Sequence, residues 1–236
     1  MTPFTAELLG TALVITIGNG VVANNLLKNS KGNDGGLITI VLGWVIAVFV
    51  GVYATTSISG GHLNPAVTIA LASAGKFEWA LVPSYILAQM LGAMLGALIV
   101  WMVYKDHFNE TQDAGAQLAV FSTGPAIRNI PQNFIVETLA TMVFLLGIFL
   151  LKPASSDLGA LSALPVALLV GGIGFGLGGP TGWAVNPARD LGPRIMHFIL
   201  PIKGKGSSDW GYAAVPVLGP IVGGILAAII YVQFLQ

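Results

Sequence analysis

The chain is built from long unbroken apolar blocks, with little alternation of apolar and polar residues. Six blocks stand out, at about 4–26, 37–57, 80–104, 133–151, 161–178 and 212–235. Each approaches the roughly 20 helical residues needed to cross a hydrocarbon core of about 30 Å. Barrel strands would alternate with period two, and lipid offers no partner to an unpaired backbone group. The pattern therefore predicts an all-α membrane protein with six transmembrane helices. Two further apolar stretches, 64–74 and 186–200, are too short to span, since about ten helical residues reach only about 15 Å.

The short stretches follow the second and fifth blocks, at matching places in two sets of three. Paired broken segments of this kind mark an inverted repeat whose half-helices meet near the midplane. The expected fold is a single transmembrane domain over 1–236 with six spanning helices and two re-entrant half-helices. Repeat one covers about 1–104 and repeat two about 133–236, joined by a polar loop, 105–132, over one mouth. The two halves also share residues: Ala6-Glu7-Leu8-Leu9-Gly10-Thr11 resembles Val136-Glu137-Thr138-Leu139-Ala140-Thr141. A carboxylate inside a span is costly and needs a partner or a wet cavity. Glu7 and Glu137 are read as acceptors for the N–H groups of the non-helical loops, with a proton or sodium site as the competing reading. The pairs Gly92/Gly96 and Gly219/Gly223 suit close helix crossings in lipid.

Composition sharpens this picture. The chain is 55% hydrophobic and only 8% charged, where a soluble domain carries roughly a quarter charged residues. Ten basic residues balance ten acidic ones with no basic cluster, so membrane lipid is an expected partner and nucleic acid is not. Cysteine is absent, which removes disulfide and thiol chemistry. Glu7 lies in the first block and no Lys or Arg precedes Lys28, so that block reads as the first span and not as a cleaved signal.

The candidate chemistry lies at the two short stretches. One opens Ser59-Gly60-Gly61-His62-Leu63-Asn64-Pro65-Ala66 and the other Thr181-Gly182-Trp183-Ala184-Val185-Asn186-Pro187-Ala188-Arg189-Asp190. Asn is a strong N-cap and Pro suits the first helical position, so each Asn-Pro pair is a helix start. The Asn oxygen can cap a backbone N–H and leave its NH2 group free to donate into a path. The positive ends of both half-helices would repel cations there, as in the aquaporin-type pores that exemplify this effect.

Six spans, two Asn-Pro-Ala half-helices and a Glu in spans one and four together resemble the major intrinsic protein family of aquaporins and aquaglyceroporins over nearly the whole chain. The resemblance is closest to bacterial glycerol uptake facilitators. It implies a homotetramer with a pore in each subunit, in a bacterial plasma membrane with both termini cytoplasmic. It also implies pore motifs at Asn64, Pro65, Ala66, Asn186, Pro187 and Ala188, and a filter of Trp44, Gly174, Trp183 and Arg189. His62 corresponds to the pore-lining loop position, and Asp190 to an acid typical of the glycerol-conducting branch. Gly174 stands where water-selective members carry His, and Trp183 where glycerol channels usually carry Phe. The expected solutes are glycerol and water, with dihydroxyacetone and undissociated lactic acid as further possibilities. No catalytic residue, cofactor or metal is expected.

Other readings stay open at this stage. Trp44 and Trp183 suit membrane-interface anchors, and Arg189 a snorkelling charge. A water-selective channel is one functional alternative, and an ion-coupled transporter built on the same repeat is another, with Glu78 and Asp190 the only acids near the half-helices. Residues 174–179 match a GxGxxG nucleotide fingerprint, but no acid lies about 20 residues on. The charge distribution argues against the implied sidedness: it leaves Lys76 and Lys152 inside and the other eight Lys and Arg residues outside or in the second half-helix, contrary to the positive-inside rule.

Overall fold

The computed structural model describes residues 1–151 and 159–235, and these are helical with no strand among them. Lys152 lies outside the described residues. The order is α1 (Pro3–Leu26), α2 (Gly36–Ser59), α3 (Pro65–Ser73), α4 (Val82–Val103), α5 (Lys105–Glu110), α6 (Ala114–Phe121), α7 (Ile130–Leu150), α8 (Leu164–Leu177), α9 (Pro187–Ile199) and α10 (Ala214–Phe234). Five of the predicted spans are helices of membrane length, counting α4 with the 3-10 turn that precedes it. The remaining one, α8, has 14 α-helical residues, about 21 Å. It gains length from the 3-10 turn Gly159–Ala163 that leads into it.

Helix ends follow local chemistry. Thr2, Asn64, Asn129 and Asn186 are N-caps whose side chains accept a backbone N–H, each followed by Pro in the first turn. The two repeats then pack alike, α1 against α4 and α7 against α10. A β-carbon at Gly92 would lie 2.2 Å from the Leu8 carbonyl oxygen, and one at Gly223 2.2 Å from that of Thr138. Both crossings are therefore backbone on backbone, which only a residue without a side chain permits. Each half-helix packs on the last long helix of the opposite repeat, α3 on α10 and α9 on α4.

Residues 105–132 differ from the expected plain loop, since they contain α5 and α6. Isolated helices of six and eight residues would not persist in water. Here burial of Phe108 and Phe121 holds them: the rings lie 5.5 Å apart, and Phe121 meets His197 of α9 edge-on at 5.4 Å. At the same surface Arg128 pairs with Asp209. That hydrogen-bonded carboxylate raises the guanidinium pKa further, so Arg128 keeps its charge.

Candidate functional site

The two loops that lead into α3 and α9 cross-link each other. Asn64 Nδ2 donates to the Val185 carbonyl and Asn186 Nδ2 to the Leu63 carbonyl, both at 2.9 Å. The Asn oxygens cap their own helices: Ala66 N donates to Asn64 at 2.8 Å, and Ala188 N and Arg189 N donate to Asn186 at 3.0 and 3.2 Å. This corrects the expectation of free amide groups. One hydrogen of each NH2 is spent on the opposite loop, which leaves one per Asn for a passing solute.

Such crossing needs sharply turned backbone. Leu63 has φ +52° and Val185 φ +42°, and Trp183 has φ +40°. A non-glycine residue pays for the left-handed region, and the two carboxylates hold the loops there. Glu7 accepts from His62 N and Ser59 Oγ on one oxygen, at 3.0 and 2.6 Å, and from Leu63 N and Gln89 Nε2 on the other, both at 2.8 Å. Glu137 accepts from Ala184 N and Val185 N at 3.0 Å each. Both carboxylates are fully buried and neither lines the cavity described next.

A cavity of about 270 Å³ runs past these loops. Its apolar wall includes Val14, Val48, Val67, Val170 and Phe144, and its polar groups include Asn64, Asn186, His62 and Arg189. Gly60, Gly61, His62, Trp183 and Ala184 also line it, and their carbonyls accept no hydrogen bond from any described residue. They are unpaired acceptors on residues that share the cavity lining with the apolar side chains. Of these five residues the resemblance implies roles for His62 and Trp183; the others depend on main-chain turns that the sequence does not spell out.

Trp44 and Trp183 line the cavity and are buried, with 4% and 8% of their surface exposed. The interface-anchor reading suits Trp79 and Trp210 instead, at 58% and 44%. Arg189 does not snorkel: it is buried, and its guanidinium lies 4.3 Å from the Trp44 ring centroid. Its one protein hydrogen bond beyond the main chain is a long one from Nη1 to the Phe121 carbonyl, 3.5 Å. Four of five guanidinium N–H groups therefore have no hydrogen-bond partner among the described residues. Gly174 does not touch the cavity. A β-carbon there would lie 3.1 and 3.2 Å from Cε2 and Cζ2 of Trp183, so the indole covers it and fills the room that glycine leaves.

The His62 ring packs between Phe77 and Tyr85, with centroids at 4.7 and 5.0 Å, and its Nδ1 lies 3.1 Å from Thr68 Oγ1. Asp190 faces away from the cavity. Its Oδ2 accepts from Thr123 N and Oγ1 at 2.7 and 2.8 Å, and its Oδ1 pairs with Arg194 at 2.8 Å. Arg194 Nε also donates to Asp190, and its Nη groups donate to the carbonyls of Thr123, Ser208 and Asp209, so four of its five N–H groups are hydrogen-bonded within the protein. This hub ties α9 to the loops on either side. Glu78, the other acid of the transporter alternative, is exposed and off the cavity. The glycines 174–179 close a helix and follow no strand, which removes the nucleotide reading. Among the described residues no group of three His, Asp or Glu could hold a metal.

Comparison with known proteins places this geometry. Residues 1–231 match the family described as Major intrinsic protein. The probable glycerol uptake facilitator protein of Thermotoga maritima is 52% identical over 231 residues, 98% of each chain. The glycerol uptake facilitator protein of Bacillus subtilis is 50% identical over 231 residues, 98% of this chain and 84% of that one. Among solved structures, the aquaglyceroporin from Plasmodium falciparum superposes with a TM-score of 0.85 at 30% identity, covering 98% of this chain and 95% of the other.

Proposed function

The chain belongs to the major intrinsic protein family, and from that premise we propose that it is a passive channel for glycerol and other small neutral polar solutes, water among them. The observation that carries the proposal is the two-sided path. An apolar wall with two indoles faces unpaired carbonyls, the Asn pair and a guanidinium with unspent donors. A polyol has the same two sides, a carbon edge and a hydroxyl edge. Trp44, Trp183 and Arg189 form the filter, with Gly174 acting through the indole it seats. Arg189 and the N-terminal ends of α3 and α9 oppose cations and protons.

Ion coupling finds no support, because among the described residues no carboxylate lines the path. The protein catalyses no reaction and needs no cofactor. It works as a homotetramer in the bacterial plasma membrane with both termini cytoplasmic, each subunit carrying its own path. Dihydroxyacetone and undissociated lactic acid have the size and hydrogen-bonding character to follow glycerol. Stopped-flow light scattering on proteoliposomes tests the proposal. Glycerol entry that rises linearly with concentration and ignores ion gradients is expected, and water entry alone would favour the water-selective reading.

A further inference from the structure

Neither indole of the proposed filter is held by its own element alone. Trp44 stands on α2, and the residue that meets it from α1 is Gly18. A β-carbon built on Gly18 would lie 2.4, 2.5 and 2.6 Å from Cζ3, Cη2 and Cε3 of Trp44. Near-equal distances to three consecutive ring atoms mean that it lands on the ring face and not on its edge. All three nearest atoms belong to this one ring. Relief to ordinary carbon contact would require the ring to move by about 1 Å. Gly18 is buried and does not line the path, whereas Arg189 lines it and stacks on the same indole.

We propose that Gly18 is a specificity-determining residue of this channel, a bare-backbone seat that sets how far the Trp44–Arg189 pair projects into the path. The proposal rests on the reading of that pair as the filter. Any side chain at position 18 drives the stacked pair inward, and a carbon skeleton feels the narrowing before a single file of water does. Gly178 seats Trp183 in a similar way, with a β-carbon 2.2 Å from Cε3. That position also lies 2.5 Å from the Gly174 carbonyl oxygen, so a substitution there disturbs the helix as well. Gly18 gives the cleaner test.

The experiment compares Gly18→Ala, Trp44→Phe and the double variant in proteoliposomes of known channel content, with water and glycerol permeability measured per channel. Gly18→Ala should lower glycerol permeability about tenfold and water permeability less than about twofold. In the Trp44→Phe background the same substitution should have little effect, because phenylalanine lacks the outer ring atoms that the methyl meets. A wild-type glycerol-to-water ratio in Gly18→Ala, or an equal loss in both backgrounds, overturns the proposal. If Gly18→Ala fails to assemble, recovery of assembly in the double variant supports it and failure of both overturns it. Wild-type permeabilities in Trp44→Phe alone would sink the filter reading and this proposal with it. A changed Trp44→Phe channel with an inert Gly18→Ala would sink the seat alone.

Discussion

At the scale of single residues, the family resemblance implies a filter of Trp44, Gly174, Trp183 and Arg189, and the structure brings Trp44, Trp183 and Arg189 together around one cavity. The resemblance could not show that Gly174 is covered, because what fills the space beside a glycine is decided by a ring that arrives from another part of the chain. This changes what Gly174→His should do. Its β-carbon would press on Trp183 and on Val41 Cγ1 at 3.1–3.2 Å, and the imidazole would displace the indole before it reached the path. We expect Gly174→His alone to lower both glycerol and water permeability by about tenfold or more. Gly174→His with Trp183→Ala should regain water permeability without glycerol, and stopped-flow traces from the two variants decide the matter. Arg189→Val removes the one guanidinium that lines the cavity and leaves the half-helix ends as the remaining positive field. Proton or monovalent cation leak should rise about tenfold over wild type, read by a pH-sensitive dye trapped in vesicles under an imposed potential.

At the scale of elements, the long helices and the Gly92/Gly96 and Gly219/Gly223 crossings were legible because hydropathy and small-residue spacing are local signals. Helices α5 and α6 were not, because both are short, α5 is polar, and their stability comes from rings buried against α9. The same holds for the Arg194 hub, whose partners lie on segments far apart in the chain. That hub fixes the outer part of α9 and so the element that carries Arg189. Asp190→Ala would leave the Arg194 guanidinium buried without its counter-charge, a change that costs about 3–5 kcal/mol. The expected result is a thermal unfolding midpoint lowered by several degrees in detergent, with the Asp190→Ala/Arg194→Met double variant more stable than Asp190→Ala. Equal loss in single and double variants would mean that the ion pair is not the source of the stability.

At the scale of the whole molecule, the conflict between charge distribution and the proposed sidedness narrows once each cation is placed. The positive-inside rule counts charges in loops that must be carried across a membrane, and several of these are not free loop charges. Arg189 lies in the path, Arg194 is spent in its hub, and Arg128 is paired with Asp209. Lys205 donates to the carbonyls of His197, Phe198 and Leu200 at 2.6–2.8 Å, where it neutralises the negative end of α9. What remains is Lys28, Lys31, Lys105 and Lys203 against Lys76 and Lys152, a bias of two charges. With no native cysteine in the chain, a single introduced thiol reports its own side. Lys31→Cys, in the loop between α1 and α2, should react with a membrane-impermeant maleimide in intact cells. Thr2→Cys, at the start of α1, should react only after permeabilisation. The reverse pattern would place both termini outside and turn the Arg189 filter toward the cytoplasm, leaving passive conduction untouched and the proposed orientation wrong.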